Sequence, residues 1–248
     1  LRTARDLEAV GVEVAKVIDS RNGEVVADTH GRKGLKGISL GNGQKIEVDC
    51  LAVSGGWSPN VHLTCHHRGR PVWRDDIAAF VPGGDLPPGM AVAGAASGAL
   101  ALGSALAEGA ALAGEAATSL KKPSKRPTPV AENESTAITP LWQVKGYKRA
   151  WVDLQNDVTT KDIKLSAQEG FRSVEHAKRY TTLGMSTDQG KTSNVLVLAV
   201  LAEARGDTIP ETGTTIFRPP YTPVPMGAFA GRARGKDFRP YRLTPSHT

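Results

Sequence analysis

Residues 172–194, RSVEHAKRYTTLGMSTDQGKTSN, limit the fold more than any other stretch of this chain. Just before them, Thr159 followed three residues later by Asp162 forms a capping-box pattern. Ile163 and Ala167 then share one helical face until Gly170 stops the helix. Ser173 is placed to cap a second helix carrying Val174, Ala177 and Tyr180 inward. The loop 184–192 leads into a third helix, apolar at Val195, Leu198, Leu201 and Ala202 and ended by Gly206. Three short helices framing one polar loop are the expectation for residues 141–210.

The residues of that loop suit anion recognition. Gly190, Lys191, Thr192 and Ser193 at a helix start offer free backbone N–H groups, two hydroxyls and an ammonium, the general recipe for holding a phosphate. The spacing between Gly184 and Gly190 is not that of a Walker A loop, so an ATP site is excluded. A capped helix start with a solvated Lys191 is the alternative reading of the same residues. No side chain in the sequence stands out as a catalytic acid, base or nucleophile.

Longer runs carry a resemblance. DVTTKDI at 157–163, GFRSVEH at 170–176, KRYTT at 178–182, GM at 184–185 and TDQGKTSN at 187–194 resemble the alpha subunit of heterotetrameric sarcosine oxidase, as do FRPPYTPV at 217–224 and GAFAG at 227–231. A weaker match extends back through SGGWSP at 54–59. The helical segment is similar to the small ferredoxin-like module of related amine and opine dehydrogenases, in which two pairs of cysteines hold a [2Fe–2S] cluster. Those positions fall on Asp153, Gln155, Thr181 and Asp188, and such a cluster needs thiolates, so the resemblance implies the scaffold without the cluster.

The resemblance further implies a module lying beside the FMN shared between the alpha and beta subunits. Thr187, Gln189, Lys191, Thr192 and Ser193 are then the candidates for phosphate or ribityl contact. The implied activity is oxidative demethylation of sarcosine to glycine, with electrons passing from FAD in the beta subunit to FMN and then to oxygen. The implied partners are the beta, gamma and delta subunits. A non-catalytic assembly module, or a subunit of a related opine dehydrogenase or hydrogen cyanide synthase, are the alternatives.

The fold class expected is a partial α/β dinucleotide-binding domain, flavoprotein reductase-like, followed by the three-helix module and an extended Pro-rich C-terminal arm. The divisions are 1–120 for the partial FAD/NAD(P)-binding-like domain, 121–140 for a linker, 141–210 for the helical module without cluster ligands and 211–248 for the arm. In the first part, residues 12–18, 24–27, 36–40 and 46–53 read as strands, punctuated by Asn22-Gly23 and Asn42-Gly43 turns. Residues 87–98, PPGMAVAGAASG, are similar to the strand that meets the flavin in those reductases, with Ala95 where an Asp would stand. The resemblance implies NAD there, with Ala95, Leu100 and Leu102 as adenine-side or ribose-side contacts; ordinary core packing is the competing reading of the same three residues. No GxGxxG follows any strand, so the first half of that fold is expected before Leu1. The stretch 238–247 resembles the opening of a folate-binding domain, so tetrahydrofolate belongs to a part beyond this chain.

Composition narrows the rest. The formal charge of +6 comes from basic residues that are scattered rather than interleaved with aromatics, which argues against nucleic-acid binding. Cys50 and Cys65 form neither a disulfide framework nor a CxxC pair, and with no signal-peptide pattern the expectation is the cytoplasm. Residues 91–117 are Ala-rich but interrupted by Glu108 and Glu115; an acidic residue near a membrane helix centre costs about 3 kcal/mol, so this reads as a buried strand plus helix rather than a membrane span. His62, Cys65, His66 and His67 lack the four converging ligands of a structural metal site and read as a surface turn. Pro210, Pro219, Pro220, Pro223 and Pro225 argue against helix after Gly206, leaving an arm with Arg218 and Tyr221 as contacts for a partner subunit.

Overall fold

The computed structural model describes residues 2–84, 86–122, 127–144, 149–218, 222, 224–232, 235 and 246. Turn chemistry dictates the first sheet. β1 (Val26–His30) pairs antiparallel with β2 (Gly37–Leu40), and β2 with β3 (Lys45–Ile46) across the turn at Asn42-Gly43. Gly43 has φ +86, and the Asn42 side chain accepts from the Gln44 N–H at 3.0 Å, the local bond that makes Asn-Gly a hairpin signal. A helix, α1 (Arg2–Ala9), precedes the sheet.

Two strand expectations fail here for want of a partner. Residues 12–18 alternate in polarity but form no strand, and beyond Ile46 the segment 47–53 continues unpaired, with Val53 exposed. An isolated strand gains no ladder bonds for the backbone groups it orders. The short helix α2 (His62–Cys65) follows and is buried at His62, Thr64 and Cys65, so this stretch is an inner element rather than a surface turn.

A hairpin of β4 (Val72–Arg74) and β5 (Ala79–Val81) comes next, with every residue of β5 buried. Gly98 is pressed against it: a Cβ there would lie 2.8 Å from Val81 Cγ1, and the residue has φ +91. The long helix α3 (Leu102–Ser119) also departs from expectation, since residues 91–93 form no strand and the helix has no buried residue. Its small side chains and two glutamates leave little apolar area to bury. The segment after it turns back, with the Asn133 side chain accepting from the Ser104 N–H at 3.0 Å, a cap supplied from 29 residues away.

The second half builds the main core. A two-stranded ribbon, β6 (Trp151–Asp153) with β7 (Val158–Thr159), runs directly into α4 (Thr160–Gln168). The capping box is present: the Asp162 carboxylate accepts from the Thr159 N–H at 2.8 Å and from its hydroxyl at 2.7 Å. α5 (Val174–Thr181) and α6 (Asn194–Arg205) complete the cluster. Ile163, Val174, Ala177, Leu183, Val197, Leu198, Val200 and Leu201 are all buried in one apolar core. Tyr180 is not among them; it lies half exposed and stacks on Phe171 at 4.6 Å between ring centroids.

Phe80 of β5 belongs to the same core, with Trp73 of β4 packed against it edge-on at 5.1 Å. The hairpin at 72–81 therefore completes the hydrophobic interior of the helices at 160–205.

After Gly206, two short helices stand where the prolines argued against any. α7 (Ile209–Thr212) carries Pro210 in its first turn, where a missing N–H costs nothing, behind a capping box of Thr208 and Glu211. α8 (Met226–Ala230) starts after Pro225 and exposes Met226 and Phe229. Pro219, Pro220, Tyr221 and Pro223 lie outside the described residues, as does the 238–247 stretch apart from Ser246.

Leu198 is fully buried between α4 and α6, so Leu198→Ala is expected to cost about 2–5 kcal/mol in chemical denaturation, the range for a large core residue cut to a methyl. Val130→Ala, at an almost fully exposed position, is expected to stay within about 0.5 kcal/mol of the parent.

Candidate functional site

The polar loop between α5 and α6 is tied at its base to β6 by one carboxylate. Asp153, at the end of β6, is buried, and its Oδ2 accepts from the Gly184 N–H at 2.9 Å. Its Oδ1 accepts from the N–H groups of Gln155 at 2.9 Å and Asn156 at 3.2 Å, and the Asn156 side chain donates to Oδ2 at 3.3 Å. Burial alone would raise this carboxyl, but the bonds from Gly184, Gln155 and Asn156 outweigh it and hold it below the usual carboxylate range.

Two glycines let the loop fold on itself. Gly184 has φ +59 and Gly190 φ +75, and a Cβ on either would sit 3.2 Å from the Cα of the other. Between them Gln189 takes the left-handed conformation, with φ 52.

The expected free N–H groups are mostly spent. Lys191 N–H donates to the Asp188 carbonyl at 3.3 Å, and the N–H groups of Ser193 and Asn194 donate to the Gly190 carbonyl at 3.1 and 2.7 Å. Successive tight turns consume the donors that a straight loop-to-helix start would have presented. Side chains are what the loop offers instead. Thr187 and Thr192 are exposed, Gln189 and Lys191 half-buried, and Ser193 buried with its Oγ unpartnered among the described residues.

An unforeseen occupant lies across this loop. The chain's own segment 214–218 returns to it: Gln189 Nε2 donates to the Arg218 carbonyl at 2.6 Å, and the Arg218 N–H donates to Gln189 Oε1 at 3.1 Å. Lys191 Nζ donates to Thr222 Oγ1 at 3.2 Å, and Asn194 Nδ2 to Thr214 Oγ1 at 3.1 Å. These pairs span 20 to 31 residues, a separation at which no sequence spacing betrays contact.

The arm also touches α2. The Phe217 ring lies 5.6 Å from the His62 ring, and His62 is held down to about 4 by burial first, then by the nearby positive charges of Lys191 and His66. Burial likewise lowers Lys178 on α5; Glu175 opposes this, while Arg218 and Arg179 reinforce it. Positive charge thus gathers around the loop, and His62 stays neutral within it. Among the described residues no three His, Cys, Asp or Glu side chains converge as metal ligands.

The second group of candidates sits at the turn 94–97 before α3. Ala95 and Leu102 are exposed, while Leu100 packs on the small cluster of Ile77, Ala79 and Val81. The turn is fixed by Glu108, whose carboxylate accepts from the Gly94 N–H at 2.8 Å and the Ser97 hydroxyl at 2.5 Å. Glu108 was not foreseen in that role, although its position 14 residues after Gly94 on the facing helix makes it sterically natural. The structure does not join this turn and the 184–194 loop into one site through any described contact.

The chain is similar to known proteins at two scales. Residues 147–232 match the sarcosine oxidase A3 domain, a span that contains β6, the polar loop and the returning arm. Beyond that domain, 98% of the chain is 44% identical to the sarcosine oxidase subunit alpha of Rhizobium meliloti (strain 1021), and 99% is 39% identical to that of Corynebacterium sp. (strain P-1). The chain is similar to one part of the sarcosine oxidase alpha subunit. It spans about a quarter of the length of these two relatives, 27% of each. The solved structure of L-proline dehydrogenase from P. horikoshii superposes on 91% of the chain with a TM-score of 0.72, covering 47% of that protein. At 20% identity this likeness concerns the fold alone, and it fits the mixed helix and sheet architecture described above.

Asp153→Ala removes the acceptor of four hydrogen bonds, three of them from backbone N–H groups, and is expected to cost about 2–4 kcal/mol and to raise amide exchange at Gly184. His62 gives a pH signature. Its folded value lies below its unfolded one, so its contribution to stability is complete above about 6.5 and is lost as pH falls through about 4. The thermal midpoint is expected to drop between those values, and the drop should shrink in His62→Phe.

Proposed function

We propose that this chain serves as part of the alpha subunit of a sarcosine oxidase, an oxidoreductase that demethylates sarcosine to glycine. The amine oxidation is assigned to FAD in a beta subunit, with electrons passing to FMN at the alpha/beta boundary and on to oxygen. The observation carrying this reading is the 44% identity across nearly the whole chain, including the A3 match centred on the polar loop.

The donors fit a flavin mononucleotide chemically. Lys191 and the hydroxyls of Thr187, Thr192 and Ser193 suit a phosphate and a polyhydroxylated chain, and the buried Ser193 Oγ, unpartnered among the described residues, is a donor suited to an acceptor there. FMN supplies one-electron and two-electron chemistry when bound; the work of these residues is to hold its polar end and exclude water. For NAD, the exposed Ala95 and Leu102 offer an apolar face to a base or ribose beside the Glu108-fixed turn. FAD, tetrahydrofolate and the beta, gamma and delta subunits belong to parts outside this chain, and a cytoplasmic site suits the unpaired cysteines.

A second reading, an assembly module without a nucleotide, is favoured by one observation: Gln189 and Lys191 already bond to the arm. Co-expression with a sarcosine oxidase beta subunit, followed by analysis of released cofactors, separates the two. FMN and FAD together in a stable complex are expected; a stable complex holding FAD alone would support the assembly reading, and no complex would overturn both.

A further inference from the structure

The turn at residues 94–97 has few means of holding its own shape. Gly94 and Gly98 bracket it with φ +70 and +91, and Ala95 and Ala96 between them carry only methyl groups. It closes on itself through two backbone bonds, from the Gly98 N–H to the Ala95 carbonyl at 3.2 Å and from the Ala99 N–H to the Gly94 carbonyl at 3.0 Å. Glu108 then ties it to α3 from outside. Its Oε2 accepts from the Gly94 N–H at 2.8 Å and from the Ser97 hydroxyl at 2.5 Å, so one side chain holds the start of the turn and its end. The Ser97 hydroxyl also lies 2.8 Å from the Gly94 carbonyl, farther than from the carboxylate. On the other side, a Cβ at Gly98 would lie 2.9 Å from a guanidinium nitrogen of Arg74. Arg74 is held above its ordinary value by its hydrogen bond to Asp76 first, and the negative charge of Glu108 adds to this, so Arg74 and Glu108 attract one another beside the turn.

Resting on the NAD reading above, we propose that Glu108 is a positioning residue for the nucleotide, fixing the turn that carries Ala95 against the helix that carries Leu102. The two candidate contacts stand on different elements, Ala95 within the turn and Leu102 at the first position of α3. Leu100 in the connection packs on Ile77, Ala79 and Val81, which holds the middle of the segment on the hairpin. The Glu108 bonds fix its beginning. A base or ribose laid on both residues therefore meets a surface already shaped, and the cost of ordering the turn does not weigh on binding. Without the carboxylate the turn regains the freedom of its two glycines, and that cost falls on the ligand. Glu108 acts through the turn rather than by touching the nucleotide.

The test uses the co-purified alpha/beta complex and follows the release of NAD after dilution into nucleotide-free buffer. Glu108→Ala removes the acceptor of two hydrogen bonds and is expected to speed release by about 5- to 150-fold, the equivalent of two ordinary hydrogen bonds. Glu108→Gln keeps an oxygen at the same reach without the charge and is expected to release NAD at close to the parent rate. Glu108→Asp keeps the charge one methylene short of the turn and is expected to behave as Glu108→Ala. Flavin content is expected to be the same in all four proteins, since the polar loop rests on a different core cluster. Parent-like release by Glu108→Ala or Glu108→Asp, release by Glu108→Gln as fast as by Glu108→Ala, or loss of flavin together with NAD would overturn the positioning role. Absence of NAD from the unsubstituted complex would defeat the NAD reading itself. Glu108→Gln and Glu108→Asp keep a polar group at this position and decide the matter even if Glu108→Ala does not fold.

Discussion

The second half of the chain depends on the buried Asp153 carboxylate. A charge taken from water at the end of a two-stranded ribbon is costly unless its lone pairs are filled, and here four donors fill them. One of those donors, Gly184, is 31 residues away, so the bond that compensates the burial also closes the polar loop against β6. The neighbouring Gly184 and Gly190 can then approach to a distance at which a Cβ on either would crowd the other, and Gln189 between them takes a left-handed conformation while its amide bonds the arm. The shape of the loop is therefore a consequence of electrostatics at its base.

Around that loop the charges are arranged unevenly. Lys191, Lys178 and Arg218 bring positive charge close together, Glu175 is bonded to Arg179, and His62 between them is kept neutral. Protonating His62 would add a cation beside Lys191 and His66 in a buried setting, which is why its affinity for a proton falls. The Phe217 ring fits against a neutral imidazole here, and it brings the backbone of the arm within reach of Gln189.

What the sequence made legible was local. The capping box of Thr159 and Asp162, the turn at Asn42-Gly43 and the helix end at Gly206 are each written within four residues, and each is present. The strands at 12–18 and 47–53 and the burial of 91–117 could not be read reliably, because strand formation and helix burial depend on a neighbour that periodicity does not name. The loop shows the same division. Its polar side chains were visible as an anion-binding set, but the turns that consume the N–H groups of Lys191, Ser193 and Asn194 arise from the glycine approach, and the arm that engages Gln189 returns from 29 residues away. The helix that follows α7's Thr208 was misjudged for a narrower reason: proline forbids a helix interior and is welcome in a first turn.

The extent of the site follows from which elements bear on it. The A3 match ends at residue 147 on one side, yet Phe80 and Trp73 from the preceding hairpin fill the core beneath α4 and α6, and His62 from α2 supports the ring of Phe217. Removing the first half would take Phe80 and Trp73 out of the core cluster and would leave Phe217 without the His62 ring it rests on. The loop is thus positioned from below by Asp153, from within by its glycines and from above by an arm that leans on residues more than 100 positions earlier. A domain boundary drawn by similarity cuts through that set, and the physical unit that shapes the polar loop is the larger one, reaching back at least to α2.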